Sequence, residues 1–412
     1  MKKAGLQTRS DLRAEMRAIG RRLAVKMPRI SGSSPADGPI QVVDLFCGAG
    51  GLSAGFELVG RELNSYRLAG AADYDVSSIA TYARNLPIKP LQADLGLVSP
   101  ELFAKKLRLD RSKPLVVLGG PPCQGFSAHR KKQSPRSDHR NSLIDAFTQI
   151  SLQLKPEFII FENVPEVTSK KHWLLFEQMR SAFRKHGYFV KTKIHNLAGF
   201  GVPQARFRTL LIAGKRPFEF PEPFLQPGQY RTVRDAIGRL SPIEPGSACA
   251  NDPMHVCTNH RASTINVLKK VPKDGGTRPK GVGPRCLQEV DGFRDVYGRL
   301  YWDRPANTVT AFARNPASGR YAHPEQNRGL SIREAAVLQG FPPDYSFEGS
   351  FDGKFLQIGN AVPASFAAYL AAHILGELRS RDAVVWDPSD DHLSPSSNSF
   401  SSGIAGRKRA VR

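Results

Sequence analysis

The stretch Gly-Gly-Pro-Pro-Cys-Gln-Gly-Phe-Ser at 119–127 follows directly on the apolar run Leu-Val-Val-Leu. Two prolines fix the backbone ahead of Cys123, and flanking glycines allow a tight turn where a strand ends. In an open α/β sheet ligands sit at that edge. A thiol there becomes a nucleophile if a helix N-terminus or nearby cations lower its pKa; the bland alternative is a buried structural cysteine. Behind it, residues 127–142 carry five Lys/Arg and no large apolar side chain, so the segment has no core to bury and its charge suits phosphates. Glu162 follows Phe-Ile-Ile-Phe and precedes Asn163, Val164 and Pro165. A carboxylate at a strand end in a dry cleft has a raised pKa and can act as an acid; otherwise it is a salt-bridged loop residue. Gln-Ala-Arg-Phe-Arg at 204–208 sets Arg206 and Arg208 two apart, on one side if extended. At the start of a buried strand they suit oxyanion or phosphate contacts better than solvent.

A second group surrounds a glycine loop. Asp-Leu-Phe-Cys-Gly-Ala-Gly-Gly-Leu-Ser-Ala-Gly-Phe at 44–56 places Gly48, Gly50 and Gly51 after a strand, with Gly55 in the helix that follows. Such glycines let the backbone turn and approach a ligand at the helix N-terminus. The spacing is not that of a dinucleotide site. Asp73, at the end of the next strand, is placed to take ribose hydroxyls, and Asp94, after the next short run, to reach an adenine amino group. For each aspartate the alternative is a solvated loop position or an N-cap.

These residues need elements to hold them. Apolar runs at 40–46, 67–73, 114–120, 156–164, 188–194 and 208–214 predict strands, several of them β-branched and unbroken, as when both faces are buried. The segments between are long enough for helices, which predicts βαβ units and a mostly parallel sheet. The alternation stops near Lys215. Residues 216–329 are rich in Pro, Gly, Arg and Lys and predict a second, smaller, loop-rich domain. Helices are expected again within 330–342 and at 364–381, returning to the large domain over 330–385; the tail at 386–412, Ser-rich and then basic, is expected to be disordered. At the N-terminus, Leu12, Met16, Ile19, Leu23 and Met27 form a helical stripe ahead of a linker at 30–39, so 1–39 reads as a basic helix and linker docking on the body or on phosphates.

Composition narrows the function. Fifty-nine Lys+Arg against 37 Asp+Glu give +22, which suits a polyanion, nucleic acid foremost. Five cysteines, at 47, 123, 249, 257 and 286, do not form a secreted disulfide framework and fit a reducing compartment. No run of 18 apolar residues argues for a membrane span.

In this order the motifs Asp-Leu-Phe-Cys-Gly-Ala-Gly-Gly, Gly-Gly-Pro-Pro-Cys-Gln-Gly-Phe-Ser, Phe-Glu-Asn-Val, Gln-Ala-Arg-Phe-Arg, Arg-Pro-Ala-Asn-Thr-Val-Thr and Gln-Ile-Gly-Asn-Ala-Val-Pro resemble the DNA (cytosine-5)-methyltransferase family, bacterial type, over about residues 40–380. The resemblance implies an α/β fold, the S-adenosylmethionine-dependent methyltransferase fold with its mostly parallel, Rossmann-like sheet, joined to a target-recognition domain. It implies S-adenosylmethionine bound by Asp44, Phe46, Gly48, Gly50, Gly51, Asp73, Tyr74, Asp94, Pro122 and Asn360. It implies Cys123 as nucleophile adding to cytosine C6, Glu162 as the base-holding acid, and Arg206 and Arg208 as the paired arginines, the second at the flipped base. Gln124, Ser127, Arg130, Lys131, Lys132, Arg136 and Arg140 are the expected DNA contacts. The expected partner is double-stranded DNA, with a cognate restriction endonuclease on the same site as functional counterpart, and the expected state is a cytoplasmic bacterial monomer. Transfer RNA as substrate, or a silenced DNA-binding scaffold, are the alternatives. Cys249, His255, Cys257 and His260 could form a zinc site, but their spacing lacks a Cys-x-x-Cys pair and no metal is assigned.

Overall fold

The computed structural model describes residues 10–31, 37–122, 143–288, 293–391 and 393–395. In chain order the elements are α1 (Ser10–Val25), β1 (Ile40–Leu45), α2 (Gly51–Leu63), β2 (Tyr66–Asp73), α3 (Val76–Asn85), β3 (Leu91–Gln92), α4 (Pro100–Lys106), β4 (Leu115–Gly119), α5 (Leu143–Leu154), β5 (Phe158–Asn163), α6 (Trp173–Lys185), β6 (Phe189–Asn196), β7 (Gln204–Ala205), β8 (Phe207–Gly214), α7 (Val233–Ile237), β9 (Ala248–Cys249), β10 (Asp252–Val256), α8 (Ala262–Lys270), α9 (Arg285–Gln288), β11 (Ala306–Asn307), α10 (Ile332–Leu338), α11 (Phe351–Asn360) and α12 (Ala364–Arg379).

Seven strands form one sheet in the order β3-β2-β1-β4-β5-β8-β6. All neighbours pair in parallel except β8, which runs antiparallel to both β5 and β6. The order reverses between β1 and β4, and the ends of those two strands mark the usual ligand position in such sheets. The inverted β8 brings its first residues to that same edge, with Thr209 opposite Asn163 and Leu210 opposite Glu162. An arginine at the start of β8 therefore meets a glutamate at the end of β5.

Both faces of the central strands are buried: Val42, Val116, Ile160 and Ile212 face one apolar layer, and Val43, Val117, Ile159 and Leu211 the other. This explains why their sequences are unbroken apolar runs. On the first face α2 and α12 cross the sheet, and α1 lies on α12 with Met16 and Leu23 buried and Leu12, Ile19 and Met27 packed alongside. Arg13 pairs with Glu377 at 2.9 Å and Arg17 with Glu219 at 2.7 Å, so the N-terminal helix docks on the body. The stretch Phe351–Arg379 has the length and hydropathy of a membrane span, but 83% of its apolar window is buried inside the protein, as befits a core helix.

Two departures from the sequence expectations are physical in origin. Residues 216–225 follow the composition break yet pack on the large layer: Phe218 meets Phe158 edge-on at 5.6 Å, and Phe224 meets Tyr369 at 5.1 Å. The expected disorder from 386 onward does not hold through Asp391. Trp386 lies against Phe189, with ring centroids 4.9 Å apart, and under the Lys191 ammonium, while Asp391 pairs with Arg180 and Arg184. That segment covers β6, the outer edge of the sheet, whose unpaired backbone would otherwise face solvent.

Between β8 and α10 the described residues contain few strands: the β9–β10 hairpin and the short β11, which pairs in parallel with β7 ahead of β8. Its own apolar cluster is small, centred on Leu268, Val271, Tyr297 and Ala322. Buried arginines hold it together. Arg299 donates to the carbonyls of Val271, His323, Gln326 and Leu268, and Arg320 to those of Gly275, Gly276 and Arg299. In a loop-rich segment the guanidinium fork satisfies backbone carbonyls that no ladder would reach.

Candidate active site

The glycine loop follows β1. Phe46 adopts φ 57°, a left-handed conformation that costs a bulky residue free energy and marks a constrained turn. Gly48 is also left-handed, at φ 50°, and a Cβ there would meet nothing within 4 Å, so its backbone borders open space. Gly51 begins α2 where a Cβ would lie 2.0 Å from the Val362 carbonyl oxygen; only glycine lets the helix start against the Ala361–Pro363 turn that follows α11. Gly50 is the N-cap of α2.

Asp44 is buried on β1. The Ser53 hydroxyl donates to its Oδ2 at 2.7 Å, Tyr82 donates to Ser53 at 2.8 Å, and Oδ1 has no partner. Burial pushes its pKa up to about 7, against the hydrogen bonds from Ser53 and with help from the charge of Asp73. Asp73 ends β2; its carboxylate accepts from the amides of Gly48 at 2.8 Å and Asp75 at 2.9 Å, which ties the glycine loop to the second strand. Burial raises its pKa as well. Tyr74 is 70% exposed beside it. Asp94 is exposed and accepts from the Gly96 amide, closing its own turn. Asn360, at the end of α11, is exposed.

Pro121 and Pro122 follow β4. Cys123, Gln124, Ser127, Arg130, Lys131, Lys132, Arg136 and Arg140 lie outside the described residues. The approach to Cys123 is nonetheless held from β5: Asn163 Nδ2 donates to the Pro121 carbonyl at 2.8 Å, and the Val164 amide donates to Asn163 Oδ1 at 2.9 Å. Glu162, 7% exposed, borders the same turn, since a Cβ on Gly120 would lie 3.5 Å from its Oε2. Arg208 Nε is 3.0 Å from Glu162 Oε1. Burial raises the Glu162 pKa, and Arg208, then Arg206, pull it back.

The two arginines have different partners. Arg206 is buried and donates to the carbonyls of Val309 at 3.2 Å, Gly359 at 3.0 Å and Ala361 at 3.2 Å, so its guanidinium brackets Asn360 rather than pairing with Glu162. Gln204, to which the motif reading gave no role, donates from its side chain to the Leu338 carbonyl and Gln339 and accepts from the Val309 amide. Nothing local marks these roles, because each partner lies more than 100 positions away.

The candidate zinc residues have other contacts. His255 bonds Ser331 Oγ through Nδ1 and the Ser241 carbonyl through Nε2, His260 Nε2 accepts from the Gly329 amide, and the Cys257 thiol meets the Glu244 carbonyl. Among the described residues no group of His, Cys, Asp and Glu is arranged to hold a metal.

Comparison with known proteins gives the family. The type II methylase M.HgiDII of Herpetosiphon aurantiacus is 34% identical over 346 residues, spanning 81% of this chain and 94% of that protein. The type II methyltransferase M1.HphI of Haemophilus parahaemolyticus is 35% identical over 339 residues, 81% of this chain and 86% of its own. Among solved structures, the Dnmt2 methyltransferase of S. pombe superposes with a TM-score of 0.57 at 17% identity, over 82% of this chain and 99% of that one, a likeness of fold. A sequence model of the C-5 cytosine-specific DNA methylases matches residues 40–376, and the chain belongs to that family of DNA cytosine-5 methyltransferases.

Proposed function

We propose that the protein methylates C5 of a flipped-out cytosine in a specific duplex DNA sequence, with Cys123 as nucleophile and S-adenosylmethionine as methyl donor. The observation that carries this reading is the buried Glu162–Arg208 pair, 3.0 Å apart, beside the proline turn that leads into Cys123. A buried acid next to a guanidinium is what N3 and O2 of a cytosine need as charge develops on the ring.

Cytosine C5 is a poor nucleophile until something adds at C6. Cys123 sulfur adds there, and the electron pair moves toward C5. Glu162 gives or shares its proton at N3, and Arg208 donates at O2. Once C5 carries the methyl group, a base removes the C5 proton, the C5–H electron pair re-forms the C5–C6 double bond as the thiolate leaves, and N3 returns its proton to Glu162. The target is out of reach in a stacked duplex, so it flips, at a cost of a few kcal/mol for unstacking. The basic run 127–142 holds phosphates around the opened site. Of residues 216–329, those beyond 225 serve as the target-recognition domain; Arg299 and Arg320, held inside it by carbonyls, scaffold that domain.

When bound, S-adenosylmethionine supplies an electrophilic methyl group on sulfur, the group that C5 takes. The residues present fit it. The Gly48 backbone is open to approach, Asp44 offers a buried and unpartnered oxygen, and Tyr74 presents an exposed ring. Asp73, Asp94, Phe46, Pro122 and Asn360 complete the proposed cradle, with Arg206 holding the backbone on either side of Asn360.

Bisulfite sequencing of plasmid DNA from cells expressing the chain, with Cys123→Ser alongside, tests this. Protected cytosines in one short sequence context, absent with the variant, are expected. Protection that survives Cys123→Ser would refute the covalent route.

A further inference from the structure

Tyr345, between α10 and α11, is wholly buried and packs against Phe341 and Phe347, with ring centroids 4.7 and 5.5 Å away. Its hydroxyl donates to the Ala49 carbonyl at 2.6 Å. Ala49 stands between Gly48, whose backbone borders open space, and Gly50, the N-cap of α2, so this bond fixes the turn by which the glycine loop becomes a helix. A Cβ on Gly50 would lie 3.0 Å from the same hydroxyl oxygen, so the loop backbone rests on Tyr345 as well as bonding to it.

The backbone of the same residue is held from the recognition side. Arg333, 4% exposed on α10, donates from Nη1 to the Tyr345 carbonyl at 2.7 Å. Its other nitrogens fork onto Asp252, Nε to Oδ2 at 2.6 Å and Nη2 to Oδ1 at 3.0 Å. Asp252 opens β10, one strand of the hairpin in the segment proposed for target recognition. A planar guanidinium that meets a carboxylate with two bonds is fixed in orientation as well as position, so a shift of the hairpin is passed to the Tyr345 backbone. The neighbours of Tyr345 are fastened too. Asp344 accepts from the amides of Ile30 and Ser31 at 2.9 Å each, and Ser346 exchanges two hydrogen bonds with Asn85, the last residue of α3. Anchored on both sides, this short segment moves as a unit with the parts that hold it.

We infer that Tyr345 is a positioning residue through which the recognition hairpin, by way of Arg333, sets how tightly the glycine loop holds the methyl donor. The inference rests on the cofactor reading proposed above and adds to it a physical link between target recognition and donor binding. Coupling between two bound ligands is reciprocal, so a duplex that steadies the hairpin should tighten the cofactor, and the cofactor should tighten the duplex by the same factor.

The test is calorimetric binding of S-adenosylmethionine and S-adenosylhomocysteine to the full chain, as wild type, Tyr345→Phe, Asp252→Asn and the double variant. Tyr345→Phe removes one buried hydroxyl and keeps the ring; it should weaken both compounds about three- to tenfold, the scale of one net hydrogen bond. In turnover it should raise KM for the cofactor more than it lowers kcat. Asp252→Asn should weaken the same compounds with no DNA present, and much less so in the Tyr345→Phe background, where the hydroxyl that carries its effect is gone. A duplex with the cytosine context found by bisulfite sequencing should tighten S-adenosylhomocysteine on the wild type, and by a smaller factor on Tyr345→Phe. Tyr188→Phe is the control: it deletes an equivalent buried bond, hydroxyl to the Pro156 carbonyl at 2.8 Å, ahead of β5 and so at the opposite edge of the sheet. It should cost similar stability in urea and leave cofactor affinity unchanged. Unchanged affinity in Tyr345→Phe or Asp252→Asn, additive losses in the double variant, an undiminished duplex effect, or an equal affinity loss in Tyr188→Phe would overturn the inference. If the wild type binds neither compound, the cofactor reading itself falls, and this inference with it.

Discussion

Removing the Arg208 guanidinium should leave Glu162 as a buried carboxylate without its main counter-charge. The pair is 3.0 Å apart with side chains 13% and 9% exposed. At that distance and an effective dielectric near 20, the gross attraction is about 5 kcal/mol. Desolvation offsets part of it, and losing one partner of such a pair typically costs about 3–5 kcal/mol. The cost is pH-dependent, and its sign follows from the direction of the shift. Burial already holds the folded Glu162 pKa above its ordinary value. Such a group stabilises the fold less as pH rises through the folded pKa, because the native state then loses a proton it binds more tightly than the unfolded chain does. Arg208→Ala raises that folded pKa further. Wild type and variant should therefore differ least in acid, diverge by at most about 1.4 kcal/mol per pH unit, and level off above the variant's pKa. Urea unfolding from pH 5 to pH 9 measures this. Adding Glu162→Gln to Arg208→Ala should recover about 1–3 kcal/mol at high pH, because the uncompensated charge is gone. A pH-independent loss below about 1 kcal/mol, the scale of an exposed pair, would refute the reasoning.

Two further outcomes test the framework around the site. Gly48→Ala places a methyl in open space at φ 50°, so it should cost about 1–3 kcal/mol in stability and weaken cofactor binding, whereas Gly51→Ala drives a Cβ to 2.0 Å from the Val362 oxygen and should cost about 3 kcal/mol or more; thermal unfolding and cofactor titration of both variants check the order. Glu334, paired with the buried Arg328 at 2.7 Å, has its pKa lowered to about 2, first against burial and then by that guanidinium. Its stabilisation is present above the unfolded glutamate pKa and is lost as pH falls toward 2, and Arg328→Met should remove this acid-range slope in urea unfolding.

Much of the fold follows from local pattern. The runs Gln-Val-Val-Asp-Leu, Leu-Val-Val-Leu and Phe-Ile-Ile-Phe have the length and branching of strands buried on both faces, and they are strands β1, β4 and β5. The glycine loop and the proline turn were legible because backbone constraint resides in the residue types themselves. The spacing of the N-terminal stripe likewise announced a helix, and α1 packs that stripe on the body with Met16 and Leu23 buried. What local pattern could not convey is which partner each polar group takes. Arg206 and Arg208 stand two apart, yet one holds carbonyls near residues 309, 359 and 361 and the other pairs with Glu162, because the antiparallel entry of β8 decides what each meets. Asn163 and Gln204 look like ordinary polar residues until the turn and loops they fasten arrive from elsewhere in the chain. Arg299 lies in a basic, loop-rich stretch with no apolar pattern to mark it as interior, and it is a buried clasp. Trp386 lies in a polar tail and still finds a strand edge to cover. Hydrophobic periodicity and backbone restriction are short-range properties that a sequence carries openly; the hydrogen-bond and charge partners of buried polar groups are set by contacts across the whole chain, and only the tertiary structure decides them.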